Sequence, residues 1–155
     1  MTIGLDLAVD GLARVMLGLI VVVGIPVLAH TRASVPALHR RRVQGLLVVF
    51  AAAMAILVTA DDLLLLYLAW EVTSVVSFLL IGTTHTAAYA REAARRALFV
   101  TGAGGLALLV AILVLVQHTG EQTLSGVLAA GVAGTEATVV GALVLLAVAT
   151  KSAQW

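Results

Sequence analysis

One apolar run, Leu63 to Gly82, carries a single carboxylate, Glu71, near its middle. Its twenty residues at about 1.5 Å each span roughly 30 Å, the thickness of a bilayer's hydrocarbon core. Glu71 lies about 12 Å from the first end. A charge at that depth is costly, and intramembrane carboxylates mark ion or substrate paths by default. The other reading is a structural glutamate, held neutral or tied to a neighbouring helix. The remainder of the chain has the composition of an integral membrane protein. Of its 155 residues, 62% are hydrophobic and 11% charged, where a soluble domain carries about 25% charge. Asp6 and Asp10 stand where the basic region of a cleavable signal would be, so none is expected.

Apolar stretches predict an all-α membrane fold of about five spans in a single domain over 1–155: 11–29, 43–60, 63–82, 97–117 and 138–155. Arg14, in the first turn of span one, can snorkel to the interface. Pro26 sits near the far end of that span, where a membrane helix tolerates it. The Asp61-Asp62 pair makes a tight turn into the Glu71 span, expected as solvated turn residues and an N-cap. Gly102, Gly104 and Gly105 superficially suggest a phosphate loop. No strand precedes them, however, and Thr101 and Gly105 at a spacing of four instead allow two helices to approach closely. In the connection 118–137, Leu124, Val127 and Leu128 fall at helical spacing and predict a short interfacial helix. The last span reaches Lys151 about 20 Å after Thr138, short of a full crossing. Thr150-Lys151-Ser152-Ala153-Gln154 therefore reads as a helix end with a snorkelling lysine or as a helix broken within the membrane along a polar path.

Charge placement orients these spans. Seven of the nine basic residues lie in the segments 30–42 (Arg32, Arg40, Arg41, Arg42) and 83–96 (Arg91, Arg95, Arg96). Six of the eight acidic residues (Asp6, Asp10, Asp61, Asp62, Glu121, Glu136) fall on the other side. The positive-inside rule makes both basic loops cytoplasmic, with residue 1, the Asp61-Asp62 turn and the 118–137 connection outside. Glu71 and Lys151 remain as opposite charges at similar depth, natural partners. Burial disfavours the charged form of each, and a nearby opposite charge restores it. Approach and separation would then switch both between holding and releasing a proton, as a proton pathway requires. Arg96, at the membrane edge, reads equally as a third member or as a cytoplasmic anchor.

Several functions are excluded or unsupported. There is no cysteine, so neither disulfides nor thiolate metal sites exist. His30, His39, His85 and His118 show no ligand spacing, so no metal is expected. No nucleophile–base constellation or cofactor motif appears. A net charge of +1 gives no nucleic-acid signal, and the expected surroundings are the lipid bilayer.

Trp70-Glu71-Val72-Thr73-Ser74 and Ser77-Phe78-Leu79-Leu80-Ile81-Gly82 resemble the fifth helix of the antiporter-like family shared by Mrp-type sodium/proton antiporters and the membrane arm of respiratory complex I. Thr150-Lys151-Ser152-Ala153-Gln154 resembles that family's broken seventh helix. Arg96 with Ala97, Thr101 and Gly104-Gly105 resembles the start of the sixth, and Asp10-Gly11-Leu12 the start of the third. The form of these motifs is closest to the large A-type subunits of Mrp antiporters. The resemblance implies that Glu71 is the key carboxylate and Lys151 the central proton-handling amine. It implies cation (Na+)/proton antiport at the cell membrane, with other membrane subunits as partners. The second reading is a proton-pumping subunit of an NADH–quinone oxidoreductase (complex I), with flavin and iron–sulfur groups on other subunits. The third is a structural membrane protein without an ion path. Family members have two helices before the third and several after the seventh, and Trp155 stands where Phe or Leu is usual. The chain is therefore expected to be a fragment, helices three to six and half of seven, that does not transport alone.

Overall fold

The computed structural model describes residues 7–84 and 88–152 and is helical throughout, with six α-helices among the described residues. They are α1 (Gly11–Ser34), α2 (Ala37–Thr59), α3 (Leu63–Ile81), α4 (Ala88–Thr119), α5 (Leu124–Ala130) and α6 (Gly134–Lys151). A 3-10 turn, Gly82–Thr84, follows α3. All but α5 are long and apolar enough to cross a membrane, which makes this a multi-pass membrane chain.

The helices start and stop for local reasons. Asp10 caps α1 by accepting from the Ala13 amide at 2.7 Å. Pro36 forces Val35 into an extended conformation (φ −105°, ψ 127°) and so ends α1. Arg40 donates to the exposed Val35 carbonyl at 3.3 and 3.2 Å, and Gln44 bonds Thr31 across the α1–α2 corner at 2.9 Å. Only Val35 and Pro36 therefore separate α1 from α2. The basic loop expected over 30–42 is helical on both sides of that break. The expected loop over 83–96 is likewise mostly helix, because α4 is already formed at Ala88. The apolar boundary seen in the sequence is where side chains change solvent. Backbone hydrogen bonding continues through it, and arginine is a good helix former.

At the opposite end the Asp61-Asp62 turn is more than a solvated corner. Asp62 is buried and caps α3, accepting from the Leu65 amide at 2.7 Å. Asp61 accepts from the Ser125 amide at 2.9 Å and from Ser125 Oγ at 2.5 Å. The Asp61 carbonyl takes the Leu124 amide, and Gln122 takes the Leu63 amide. The turn thus holds α5 against the top of α3, and Ala8 joins it through Thr59. Gly120 (φ 75°) and Gly131 (φ 72°) end α4 and α5 in the left-handed conformation that lets the connection fold back there. The helix expected near Leu124 exists, with Val127 buried and Leu128 exposed. Removing the Asp61 carboxylate strips two bonds from the start of α5. Asp61→Ala is expected to destabilise the protein by about 1–2 kcal/mol, read as a lowered thermal midpoint in detergent, with faster proteolysis in the 118–133 segment.

Packing runs α1–α2–α3–α4–α6, each helix against the next. The core lies where α3, α4, α5 and α6 meet: Leu63, Leu108, Ile112, Val127 and Ala147 are buried, with Tyr67 and Trp70 packed against them. α1 buries only Ala13 and Thr31 and leaves Leu12, Val15, Leu19, Val22 and Ile25 exposed, an outward apolar face of the kind that lipid or further helices cover.

Candidate functional site

The middle of α3 presents different chemistry to its two neighbours. Trp70, Thr73, Ser74 and Ser77 recur at spacings of three and four, so they share one helix face. Thr73 is fully buried and Ser74 is 3% exposed. Their hydroxyl hydrogens are used locally: Thr73 Oγ1 donates to the Trp70 carbonyl at 2.7 Å, Ser74 Oγ to the same carbonyl at 3.2 Å, and Ser77 Oγ to the Thr73 carbonyl at 2.7 Å. This leaves oxygen lone pairs facing outward, a cradle suited to a cation.

Lys151, the last residue of α6, fills that cradle. Its Nζ donates to Thr73 Oγ1 at 2.6 Å, Ser74 Oγ at 2.7 Å and the Trp70 carbonyl at 3.1 Å. It also lies 4.8 Å from the centre of the Trp70 ring, within cation–π range. The ammonium therefore has a full set of donors in use at the mid-length of α3 and does not snorkel away. α6 begins at Gly134, four residues before the expected start, and Ser152 caps it. Of the motif around Lys151, residues 153–155 lie outside the described residues, as does His85.

Glu71 points elsewhere. Its Oε1 is buried without a hydrogen-bond partner and presses on Gly105 of α4 so closely that a Cβ at that position would overlap it. The neighbouring Gly104 receives Thr150 of α6 in the same manner. Thr150 is itself buried and bonds the Ala147 carbonyl at 2.7 Å. Two adjacent glycines thus form a notch in α4 into which α3 sets its carboxylate and α6 the Thr150 side chain of its last turn. The spacing of Thr101 and Gly105 located this approach at one residue. Gly104 reads in the sequence only as part of a glycine run, and its contact with Thr150 is a tertiary fact.

The structure brings Glu71 and Lys151 to one region but does not join them. Among the described residues the ion pairs are Arg95–Glu92 and Arg96–Glu92, the latter at 3.0 Å. Lys151 takes hydroxyls and a carbonyl where a carboxylate partner was expected. Arg96 is mostly exposed and bound to Glu92 on its own helix, nine residues or about 13 Å along α4 from Gly105. Thr73 and Ser74, which hold the Lys151 amine, are the site side chains that the sequence left without a role. Their shared face with Trp70 was the available signal. Among the described residues no cluster of His, Asp and Glu has the grouping a metal needs. A half-buried carboxylate with one unpartnered oxygen, in the region of a hydroxyl-solvated amine, is suited to exchanging protons through a side-chain movement or an intervening water.

Comparison with known proteins shows what the whole chain is similar to. Over 158 aligned residues the chain is 39% identical to the probable K(+)/H(+) antiporter A/B subunit of Rhizobium meliloti, covering 96% of this chain and 15% of that protein. It is 39% identical over 124 residues to NADH-quinone oxidoreductase subunit L of Escherichia coli, covering 76% of the chain and 19% of the relative. In three dimensions it matches a chain of the Mrp complex from Dietzia sp. DQ12-45-1b with a TM-score of 0.65 and 42% identity, over 71% of this chain and 12% of that one. The chain therefore spans under a fifth of the length of these relatives. Residues 60–155, which hold Glu71, the glycine notch and Lys151, match the family described as NADH:quinone oxidoreductase/Mrp antiporter, TM, and the chain belongs to that family.

Proposed function

We propose that this chain is the part of an Mrp-type antiporter subunit that holds the central step of a proton path, exchanging protons for a monovalent cation, sodium in the first instance. The observation that carries this reading is that α3 holds both groups without an ion pair between them: it sets the Glu71 carboxylate into the α4 notch and solvates the Lys151 amine with its hydroxyls. A locked salt bridge would hold both charges. Here Glu71 has an unpartnered oxygen and Lys151 rests on neutral acceptors, so either can change protonation without breaking a strong pair. Arg96, at the edge, is an entry residue or an anchor. The proposed setting is the cell membrane, with the basic ends of the α1–α2 and α3–α4 junctions in the cytoplasm. Other membrane subunits of a multisubunit complex complete the path. The chain alone is expected not to transport.

The complex I relative supports a second reading, proton pumping driven by NADH. The test uses the intact complex in sealed vesicles. A sodium pulse without NADH is expected to move protons, and Glu71→Gln is expected to slow that movement while assembly of the complex is unchanged. Proton flux at the wild-type rate in Glu71→Gln would remove the relay. A requirement for NADH would favour the second reading, and potassium in place of sodium would reassign the cation.

A further inference from the structure

A groove of about 460 Å³ opens at the basic end of the bundle, between α2, α3 and α4. Its walls carry three guanidiniums, Arg42, Arg91 and Arg95, over a floor formed by Phe78, Leu79 and Ala94. Glu92 lies beside it, held by Arg95 and Arg96, so the local balance stays positive. The site is separate from the glycine notch and takes no part in the proposed proton path.

Beyond the arginines, the helix faces that carry Arg42 and Leu79 continue as apolar surface. On α2, Arg42, Gly45, Val49, Ala52 and Ile56 recur at three, four, three and four, which is one face of the helix. On α3, Leu79, Val75, Val72, Leu68 and Leu65 do the same in the opposite direction. Val49, Val72 and Val75 are 48%, 42% and 46% exposed, and nothing lies within 4 Å of where a Cβ on Gly45 would be. A second, apolar cavity of about 290 Å³ lies along this seam from Val49 to Ile56. From Arg42 to Ile56 is about 21 Å, more than half of the roughly 30 Å hydrocarbon core. A cluster of guanidiniums at a helix end, continued by an apolar trough parallel to the helices, matches a phospholipid: an anionic headgroup at one end and an acyl chain along the seam.

We propose that this seam is a binding site for an anionic phospholipid, with the phosphate held by Arg42, Arg91 and Arg95 and an acyl chain lying between α2 and α3. Free phosphate offers the same headgroup chemistry without the chain. A further transmembrane helix is the other possible occupant of the trough.

The test uses the intact membrane assembly in mild detergent, titrated separately with phosphatidylglycerol, phosphatidylcholine and inorganic phosphate, with bound lipid read by native mass spectrometry and stabilisation by thermal shift. Phosphatidylglycerol is expected to bind in preference to phosphatidylcholine. The double variant Arg42→Gln, Arg91→Gln is expected to raise its half-saturating concentration on the order of tenfold. Arg41→Gln, a neighbouring charge that does not line the groove, is expected to change it by less than about twofold. Ala52→Trp, which fills the trough without touching the arginines, is expected to weaken phosphatidylglycerol and leave phosphate unaffected. Unchanged phosphatidylglycerol binding in both the double variant and Ala52→Trp overturns the proposal, as does phosphate binding as tightly as the lipid. The chain has no cysteine, so Val49→Cys gives a single reporter in it. Crosslinking of that thiol to another polypeptide, and not to a thiol-reactive lipid, assigns the trough to a helix and also overturns the lipid reading.

Discussion

Lys151→Arg is expected to leave the bundle folded and to reduce proton-coupled transport by about a hundredfold or more, the scale of losing a positioned acid–base group. A guanidinium offers five donors and can satisfy the Trp70 carbonyl, Thr73 Oγ1 and Ser74 Oγ in place of the ammonium. Lys151 is only partly buried, which leaves space for the extra atoms. An arginine stays protonated at any working pH, so it can fill the cradle but cannot release a proton. The measurement is the rate of proton movement in vesicles carrying the intact complex, beside its thermal midpoint. If packing alone required Lys151, arginine would restore most of the rate. Lys151→Ala separates these less well, because it removes the amine's three hydrogen bonds and its packing together with its proton.

The second large effect is a contrast between two neighbouring glycines. Gly105→Ala is expected to fold almost normally and to transport at about a tenth of the wild-type rate or less. Its new Cβ meets the end of the Glu71 side chain. That end is flexible and can swing aside at small cost in stability, but the carboxylate then leaves the position it holds. Gly104→Ala meets Thr150, where Oγ1, Cβ and Cγ2 all lie close. Thr150 is short, branched and bonded to the Ala147 carbonyl, so α4 and α6 must separate. The expected cost is about 1–3 kcal/mol of stability, as for other overpacked contacts. Thermal midpoints and transport rates of the two variants check the contrast. Equal losses of stability in both would show that the notch serves packing alone, without setting the carboxylate's position.

Much of the fold is legible in the sequence because membrane helices are specified by length and apolarity, both of which are local. The five apolar stretches became five helices of crossing length, and Asp62 acts as the N-cap expected in the Asp61-Asp62 turn. Helix ends were less legible. Arg40, Arg41, Arg42, Arg91, Arg95 and Arg96 mark where side chains meet water, yet all lie on helices, since a charged side chain does not interrupt backbone bonding. Asp61 shows a further limit. As a residue in a turn it reads as solvated, and only the return of the chain 64 residues later supplies Ser125 as its partner.

The sequence by itself determined that this is a helical membrane chain of the antiporter-like family, with one carboxylate and one lysine deep in the apolar layer. Composition, run length and the Trp-Glu-x-Thr-Ser motif suffice for that, because the cost of burying charge is the same wherever it occurs. The tertiary structure alone decided how the two charges are held. Depth along the chain places Glu71 and Lys151 at one level but says nothing of the direction in which each side chain leaves its helix. Rotation of α3 turns Glu71 onto Gly105 and turns Thr73 and Ser74 toward α6, so the amine is solvated by hydroxyls and a carbonyl while the carboxylate oxygen stays unpartnered. That rotation is fixed by which small residues of α4 face which neighbour, a property of packed surfaces that no single helix encodes.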